Sequence, residues 1–577
     1  MNNSIGLGFT WDLVIILVIG FIGGLVSRKA RQPPLVGFIL GGFLFGNLLG
    51  GLLRMWPEVT GLAEIGVALL MFTLGIELSL RKFIRSGKII FWAALIQIIL
   101  TILVGLIFLP RFGFDFYQSL FLGSCFSLSS TAVVVKLLEE KGELSTLPGE
   151  TMVTFLLIQD LTVLPMLIIL PQVGHFEGDF ARLLNELFLG LLKGGALLVL
   201  VGVFGRKYLP VLVDKLATLS SRELLTLGVL AFCLLAAFGT QALGLSFVFG
   251  AFLAGLLISE TVENHAIFAE IRPLRDIFSI IFFVSLGFLL PFSFLVANLS
   301  LILILTIFFS FIKFLIIFFL LLYLKYHTKS SFIIASGLFQ VGEFAFVLGT
   351  LGKSGGLIDE NTYSLILFVT LLTMVITPFV MVSANKVYFF IKDWLERHFP
   401  PIYGTLFTKL DRRLVVEELP ISGHVVLCGF GRVGSYVGRA LEMAEIPMVV
   451  IDYNRLKVAF LEKKGINVIF GDPAELPVLK VAKIEQASFL ILAIPDRFTQ
   501  EMVILNAQTL NSKIQIICRT HLEQDQKRLK DLGVGNVIQP EFEAALSMVK
   551  KILASLGRSE EEISGKISRL KIEHGLG

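Results

Sequence analysis

Long apolar stretches, with charged residues confined to the segments between them, fill the chain up to about Ala384 and constrain its fold most strongly. A membrane-spanning helix needs about 20 apolar residues, and about thirteen stretches approach that length. Of the 577 residues, 16% are charged, whereas soluble domains carry about 25%. The sequence therefore predicts a polytopic α-helical membrane protein with spans near residues 11–26, 33–53, 60–79, 88–109, 116–138, 148–171, 183–204, 222–242, 244–260, 272–290, 295–323, 329–353 and 361–384.

Positive charges are distributed unevenly among the loops that join these spans. One alternating set of loops is rich in lysine and arginine, and it includes Arg28, Arg81, Arg206, Arg272 and Lys325. Because basic loops stay on the cytoplasmic side of a membrane, we expect the N-terminus outside and the C-terminal part inside the cell. An odd number of spans predicts the same orientation.

Two of the predicted spans are interrupted by small and polar residues at matching positions of a weak internal inverted repeat. These interruptions are Ser127–Thr131 and Ser336–Glu343. Inverted repeats with paired discontinuous helices are typical of secondary transporters whose substrate site lies near the middle of the bilayer. The alternative interpretation is that serine and glycine merely allow neighbouring helices to pack closely.

Asp160 lies in the middle of a predicted span, where a charged group costs at least about 2.5–3.5 kcal/mol on insertion scales. A carboxylate in this position needs a proton or a bound cation, which predicts an exchange site that holds one or the other. A structural hydrogen bond to another helix is the alternative. Gln159 offers an amide oxygen to a monovalent cation, and Ser129 and Thr131 offer hydroxyl or backbone oxygens.

Lys313 and Glu343 are the further candidates for ion translocation. Lys313 lies near the middle of its span. It could pair with Asp160, offset the negative ends of half-helices, or extend its ammonium group to the membrane surface. Glu343 lies in the second interrupted helix.

After Arg412 the sequence becomes the ordinary mixture of apolar and charged residues found in soluble domains. Short apolar strands alternate with helical segments, which predicts a doubly wound parallel sheet. The first strand is followed by a glycine-rich turn and a helix, and the second strand ends in Asp452. This arrangement is a strong dinucleotide-fold signal.

The predicted nucleotide site follows from that arrangement. The glycines let the backbone approach phosphate at the helix N-terminus, and an acidic residue at the end of the second strand can accept hydrogen bonds from ribose hydroxyls. The candidate residues are Gly429, Gly431, Arg432, Gly434, Asp452 and Asp472.

Nearly the whole chain resembles the monovalent cation:proton antiporter-2 family, and more narrowly the Kef-type glutathione-gated potassium efflux transporters of bacteria. In the soluble part, the resemblance is to a regulator-of-potassium-conductance domain, also called a TrkA N-terminal domain. The motifs that carry the resemblance are Gly61–Val67, Met71–Glu77, Ser127–Ala132, Gln159-Asp160, Ile281–Gly287, Gly342–Phe346, His424–Asp452, Gly471-Asp472 and Pro540-Glu541.

The resemblance implies a sodium/proton-antiporter-like fold in a homodimer, with soluble domains that bind AMP, NAD(H) or a similar ligand. Gln159 and Asp160 occupy the place of the ion-binding pair, and the glutamine version is associated with potassium. Lys313 matches the lysine on the helix that faces this pair. Glutathione gating is left open, because Cys518-Arg519-Thr520 departs from an Arg-Ala-Arg-like pattern, although Arg519 is a candidate anion contact.

The sequence thus predicts three parts: a transmembrane cation/proton antiporter domain at residues 1–385, a linker at 386–420, and a Rossmann-like nucleotide-binding domain at 421–577. The predicted function is potassium/proton antiport across the bacterial inner membrane, gated by an adenine nucleotide. Sodium/proton antiport and a nucleotide-gated cation channel are the alternatives. A membrane-tethered oxidoreductase is disfavoured because the soluble part is too short for a substrate domain, and nothing in the sequence indicates a nucleic-acid partner.

Overall fold

The computed structural model describes residues 3–30, 32–49, 56–77, 88–144, 146–173, 222–243, 246–259, 261, 264–404, 421–520 and 523–573. The chain divides into two compact units. The first comprises Met1–Leu137, Thr151–Leu324 and Phe332–Ala384, and the second comprises Leu138–Glu150, Lys325–Ser331 and Asn385–Gly577. The second unit therefore includes two short segments that lie between membrane helices in the sequence.

Apolar helices make up the first unit. Those with residues in it are α1 (Asn3–Lys29), α2 (Pro34–Leu49), α3 (Trp56–Glu77), α4 (Lys88–Phe108), α5 (Phe116–Ser127), α6 (Thr131–Glu140), α7 (Leu147–Val173), α8 (Arg222–Ala242), α9 (Phe247–Ser259), α10 (Asn264–Phe288), α11 (Phe292–Tyr323), α12 (Thr328–Leu338), α13 (Phe344–Ser354) and α14 (Glu360–His398). By the unit boundaries, α6, α7, α12 and α14 each have residues in both units.

Seven helical segments of the described chain are long and apolar enough to cross a membrane. They are Thr10–Lys29, Ile89–Phe112, Phe116–Glu140, Leu147–Gln172, Glu223–Ala242, Phe292–Tyr323 and Glu360–His398. Three shorter apolar helices cover Pro34–Leu48, Gly61–Ile76 and Phe247–Ser259. The span predicted near 183–204 lies outside the described residues. The two predicted interruptions are present, because non-helical backbone separates α5 from α6 and α12 from α13.

Glycines allow some of these helices to approach closely. A Cβ atom at Gly255 of α9 would lie 1.9 Å from the carbonyl oxygen of Phe72 in α3, so no larger residue fits there. Helices in membranes commonly associate through small residues in this way, since van der Waals packing replaces the hydrophobic driving force of water.

The second unit contains a six-stranded parallel sheet in the order β3-β2-β1-β4-β5-β6. Its strands are β1 (Val425–Cys428), β2 (Met448–Asp452), β3 (Val468–Phe470), β4 (Phe489–Leu492), β5 (Gln515–Arg519) and β6 (Asn536–Ile538). The order reverses direction between β1 and β4, which is the place where doubly wound folds bind their ligands. The predicted parallel sheet is thereby confirmed.

Helices accompany these strands. They are α15 (Pro400–Tyr403), α16 (Arg432–Met443), α17 (Arg455–Lys463), α18 (Leu476–Val481), α19 (Arg497–Leu510), α20 (Glu523–Asp531), α21 (Pro540–Ser555) and α22 (Glu560–Glu573). Alternate residues of β1 face two different apolar clusters: Val426 and Cys428 face one, and Val425 and Leu427 face the other. Strands covered on both faces read as continuous apolar runs, which is why β1 could be recognised from the sequence.

The helix α14 continues without interruption from Glu360 to His398. The first part of the predicted linker at 386–420 is therefore helical, and residues 405–420 lie outside the described chain.

Candidate functional site

The two helix interruptions of the first unit meet each other. The amide of Gly342, between α12 and α13, donates a hydrogen bond of 3.1 Å to the carbonyl oxygen of Leu128, between α5 and α6. A Cβ atom at Gly342 would stand 2.6 Å from backbone atoms of Ser129, so glycine is required for this approach. A backbone N–H group of one interruption thus donates to a backbone carbonyl oxygen of the other. Unwound segments within a membrane require such hydrogen bonds, because lipid offers none.

Lys313 is fully buried beside this meeting point. Its ammonium group donates hydrogen bonds to the carbonyl oxygens of Leu128 at 2.7 Å and of Gln340 at 2.9 Å. These carbonyls follow the C-terminal ends of α5 and α12, where helix dipoles concentrate negative charge. Of the three sequence interpretations of Lys313, the one in which it offsets the ends of half-helices matches these contacts.

Asp160 and Gln159 lie side by side in α7, and both are buried. The hydroxyl group of Thr131, the first residue of α6, donates to Oδ2 of Asp160 at 2.8 Å. The backbone amide of Ser129 donates to Oε1 of Gln159 at 2.9 Å. The carboxylate and the carboxamide oxygen are therefore both held against the interruption between α5 and α6.

Ser129 and Ser130 connect this interruption to the second one. The hydroxyl of Ser129 donates to the carbonyl oxygen of Leu338 at 2.8 Å. The hydroxyl of Ser130 donates to Oε2 of Glu343 at 2.6 Å. The structure thus joins the six predicted translocation residues in one region of buried polar contacts, with Glu343 at its edge through Ser130.

Gln97 is a residue of this region that the sequence analysis missed. It is fully buried in α4, and its Oε1 accepts a hydrogen bond of 2.6 Å from Nε2 of Gln159. An amide in the middle of an otherwise apolar span was the available signal, but such an amide is as readily explained by a contact within its own helix.

A crevice with about 630 Å³ of space, counting the part open to solvent, lies at the carboxyl ends of the strands of the second unit. Its walls come from the glycine turn, the end of β2, the segments after β3 and β4, and the end of β5. The residues around it are Thr146, Leu147, Gly429, Gly431, Arg432, Ile451, Asp452, Tyr453, Asn454, Lys457, Pro473, Ala493, Ile494, Pro495 and Arg519. The predicted nucleotide site therefore coincides with this crevice for most of its residues.

The three glycines of the turn differ in whether the structure would accept a side chain at their positions. Gly429 has a φ of +89°, which disfavours other residues. A Cβ atom at Gly434 would lie 2.0 Å from the carbonyl oxygen of Gly429, whereas one at Gly431 meets nothing within 4 Å. Gly429 and Gly434 are therefore needed to form the turn, while Gly431 keeps open space next to the N-terminus of α16.

Asp452 supports the turn as well as facing the crevice. One carboxylate oxygen accepts a hydrogen bond of 2.7 Å from the amide of Phe430, and the other accepts one of 2.7 Å from the amide of Asn454. Each oxygen has a second lone pair, so the carboxylate can still accept from ribose hydroxyls.

Positive side chains stand around the crevice, namely Arg432, Lys457 and Arg519. Burial lowers the pKa of Arg519, and the nearby charge of Arg432 lowers it further while Glu541 opposes the shift. Two guanidinium groups that repel each other in this way are suited to receive the oxygens of a phosphate.

Asp472, which the sequence placed at the crevice, is directed elsewhere. Its Oδ2 forms an ion pair of 2.8 Å with the ammonium group of Lys329, and its Oδ1 accepts from the amide of Ala474 at 3.0 Å. Although burial opposes ionisation, Lys329 and His327 hold the pKa of Asp472 below its ordinary value. It is the next residue, Pro473, that borders the crevice.

Thr146 and Leu147, which precede and begin α7, reach the crevice from outside the Rossmann-like sequence. The Thr146 hydroxyl accepts a hydrogen bond of 3.1 Å from the amide of Gly149 and donates one of 2.7 Å to the carbonyl oxygen of Glu143. Thr146 therefore acts as the N-cap of the helix that carries Gln159 and Asp160.

Comparison with known proteins identifies both parts of the chain. The family model described as sodium/hydrogen exchanger, transmembrane, matches residues 14–382. The chain belongs to this sodium/hydrogen exchanger family. The family model described as TrkA-N domain matches residues 425–540.

The similar proteins agree with this assignment. YbaL of Escherichia coli (strain K12), whose name describes a cation/proton antiporter, is 32% identical over 92% of this chain and 95% of its own length. KefB of Alkalimonas amylolytica, named for K⁺ efflux antiport, is 28% identical over 97% of this chain and 83% of its own. The sodium/proton antiporter MjNhaP1 of Methanocaldococcus jannaschii covers 67% of this chain with 99% of its own length, at 16% identity and a TM-score of 0.51, and supports the fold.

The exchanger is therefore a multi-pass cation/proton antiporter of the Kef type with a C-terminal TrkA-N domain. The family and the fold predicted from the sequence are confirmed. Its relatives are transporters, in agreement with the expectation of a transport function.

Proposed function

We propose that this exchanger carries out potassium/proton antiport across the bacterial inner membrane by alternating access around Asp160. The carboxylate holds either a proton or a K⁺ ion, because the low dielectric of the bundle makes an uncompensated charge costly. Protonation releases the cation on one side, and the neutral carboxyl group returns. Lys313 stabilises the crossing of the half-helices through the carbonyls of Leu128 and Gln340.

The observation that carries the choice of K⁺ is the neutral amide of Gln159 beside Asp160. A second carboxylate would strengthen the field at the site and favour a smaller, more strongly hydrated cation. An amide oxygen next to one carboxylate suits a weakly hydrated monovalent ion, with Ser129 and Thr131 as further oxygen donors.

Proteoliposomes loaded with a pH-sensitive dye test this proposal. Addition of K⁺ should move protons at a lower concentration than addition of Na⁺, and Gln159→Asp should shift the preference toward Na⁺ or Li⁺. A preference for Na⁺ in the unaltered protein would support the sodium alternative, and currents far above coupled exchange would support a channel.

The TrkA-N domain is proposed to bind an adenine nucleotide, AMP or NAD(H), as a regulatory ligand. The N-terminus of α16, together with Arg432 and Arg519, suits phosphate groups. Asp452 suits the 2′-hydroxyl of a ribose and would repel a 2′-phosphate. The proposal extends to a homodimer with the N-terminus outside and the TrkA-N domain in the cytoplasm.

Calorimetry on the purified full-length protein tests the ligand. AMP and NADH should bind more tightly than NADPH, and Asp452→Ala should weaken binding and reduce that preference. Tighter binding of NADPH would contradict the assignment of Asp452. Glutathione, tested in parallel, should compete with the nucleotide if Arg519 is a shared anion contact, and otherwise leave the titration unchanged.

A further inference from the structure

A chain of buried amides extends from the ion site into α4. The side-chain Nε2 of Gln159 donates to Oε1 of Gln97 at 2.6 Å. Nε2 of Gln97 in turn donates to the carbonyl oxygen of Ser127 at 3.0 Å and to the hydroxyl oxygen of Thr101 at 3.1 Å. Gln97, Thr101 and Gln159 are all fully buried.

Backbone groups at both ends fix the orientation of the two amides. The amide N–H of Ser129 can meet only the oxygen of Gln159, and the carbonyl of Ser127 can meet only the NH₂ group of Gln97. Each carboxamide has one acceptor end and one donor end. The NH₂ group of Gln159 must therefore point toward Gln97, and its oxygen toward the interruption beside Asp160.

We propose that Gln97 is a positioning residue that fixes the orientation of the Gln159 amide and thereby sets the cation preference of exchange, an inference that rests on the proposed role of Gln159. Without Gln97, the NH₂ group of Gln159 loses its acceptor in a buried position, and the orientation of the amide then rests on the hydrogen bond from Ser129 to its oxygen. A rotated amide would present a donor, which repels a cation, where an acceptor stood.

Exchange by Gln97→Met in proteoliposomes tests this proposal through the KM values for K⁺ and Na⁺. We expect the KM for the preferred cation to rise roughly five- to tenfold, the effect of one lost buried hydrogen bond, and the ratio of the two KM values to change while kcat changes little. Thr101→Val removes one acceptor of Gln97 and should shift the ratio less, in the same direction.

A double-mutant cycle separates positioning from general packing. If Gln97 acts through Gln159, the double variant Gln97→Met/Gln159→Met should show the same ratio of KM values as Gln159→Met alone. Thr306→Val, which alters a buried hydroxyl of α11, is the matched control and should leave the ratio unchanged. Additive effects, or an unchanged ratio in folded Gln97→Met, would overturn the role of Gln97. An unchanged ratio in Gln159→Met would instead refute the proposed role of Gln159.

A second inference rests on separate observations in the second unit. Lys329, the second residue of α12, is buried, and its ammonium group contacts Asp472 at 2.8 Å and the hydroxyl of Thr499 at 2.7 Å. It also lies 5.2 Å from the centre of the Phe389 ring. A buried ion pair whose partners are also hydrogen-bonded is costly to break from one side.

The two residues of this ion pair, Asp472 and Lys329, are close in the sequence to residues of the crevice and to the N-terminus of α12, respectively. Asp472 immediately precedes Pro473, which borders the crevice. Thr499 donates from its amide to Asp496 at 2.9 Å, and Asp496 follows Pro495 of the same crevice wall. The 11-residue helix α12 that begins beside Lys329 ends at Leu338, whose carbonyl oxygen accepts from Ser129.

We infer that the Lys329–Asp472 pair transmits nucleotide occupancy of the crevice to the ion site through α12. This inference rests on the proposed nucleotide regulation. A ligand that favours one position of the segments at Pro473 and Pro495 changes the geometry of the pair, and so biases the position of α12 by its differential affinity for the two states.

Full-length Lys329→Met provides the test, with AMP and NADH as the probes. Calorimetry should give binding within about threefold of the unaltered protein, because Lys329 does not border the crevice, whereas the change of exchange rate on adding nucleotide should be lost. Thr499→Val should reduce the response partly. Arg528→Met, which removes an ion pair with Glu501 between α19 and α20, is the control and should keep the response.

The outcomes distinguish the two proposals. Absence of nucleotide binding or response in the unaltered protein would refute nucleotide regulation itself. A normal response in Lys329→Met and Thr499→Val, with normal binding, would overturn the role of the ion pair alone.

Discussion

The protonation and ion-binding behaviour of a carboxylate in an apolar bundle depends on the groups that contact it, and Asp160 has such groups beside it on its own helix and on a neighbouring interruption. Thr131 donates a hydrogen bond to one of its oxygens, and the adjacent Gln159 is oriented by Ser129. The ammonium group of Lys313 donates hydrogen bonds to carbonyl oxygens that follow the ends of two half-helices. The contacts of Lys313 are therefore made with backbone carbonyl oxygens, while Asp160 and Gln159 are held by groups of the interruption between α5 and α6.

Asp160→Asn tests this dependence most directly. Asparagine keeps the shape and can still accept from Thr131, but it can neither bind a proton in exchange nor balance a cation. We expect exchange to fall to the background of empty liposomes, while the thermal unfolding midpoint in detergent changes little. Retention of half or more of the exchange would exclude Asp160 as the shared site.

Two glycines of the nucleotide turn provide a matched pair of variants. Gly431→Ala adds a methyl group to open space at the crevice and should weaken AMP binding about tenfold or more, or about 1.4 kcal/mol, with normal stability. Gly434→Ala places a methyl group 2.0 Å from the Gly429 carbonyl and should destabilise the domain by about 1–3 kcal/mol, as overpacking does. Calorimetry and thermal unfolding separate the two effects. Normal AMP binding by Gly431→Ala would show that phosphate does not approach this position.

Helices, strands and turns were predicted correctly where their formation depends on residues that are close in the sequence. The glycine turn, the buried strand β1 and both helix interruptions follow from residues that are neighbours in the sequence. The partners of Lys313 and Asp472 could not be derived in this way. Asp472 was placed at the crevice because it follows the end of β3, but its carboxylate contacts Lys329, more than a hundred residues earlier in the chain. Contacts of this kind depend on tertiary packing, which carries no short-range signature.

A substitution at Gly342 tests whether exchange requires the close contact between the two interruptions. In Gly342→Ala the new methyl group would lie 2.6 Å from backbone atoms of Ser129, so the interruptions must separate and the hydrogen bond to Leu128 must lengthen. We expect exchange to be lost and stability to fall by about 1–3 kcal/mol. Gly61→Ala in α3, where a Cβ atom meets nothing within 4 Å, is the control. Wild-type exchange by Gly342→Ala would mean that the interruptions tolerate separation.

For the whole molecule, the division into two units differs from a simple sequence of domains. Residues 138–150 and 325–331 belong to the unit that contains the nucleotide fold, although they lie between membrane helices in the chain. Composition alone could not predict this, because short polar loops between spans have the same appearance whether or not they pack against a domain. Their burial is the informative observation: His327, Thr328 and Lys329 are all buried.

Glu143, in the first of these segments, should make the stability of the molecule depend on pH. Burial raises the pKa of its carboxyl group from 4.5 to about 7; Lys141 and Lys329 oppose the shift and Asp496 adds to it. Below about pH 4.5 the group is protonated in both the folded and the unfolded chain. Between about 4.5 and 7 the unfolded chain loses the proton first, so stability falls as the pH rises through this window and is constant above it.

Glu143→Gln keeps the neutral form at every pH and should remove this part of the pH dependence. We expect the variant to resemble the unaltered protein near pH 5 and to unfold at a higher temperature at pH 8. Thermal unfolding of the full-length protein in detergent across this range measures the difference. Glu485→Gln, at an exposed position of the same unit, is the control and should leave the pH profile unchanged. An equal pH profile for Glu143→Gln and the unaltered protein would mean that Glu143 is ionised in the folded state throughout, so that its burial is offset by the lysines around it.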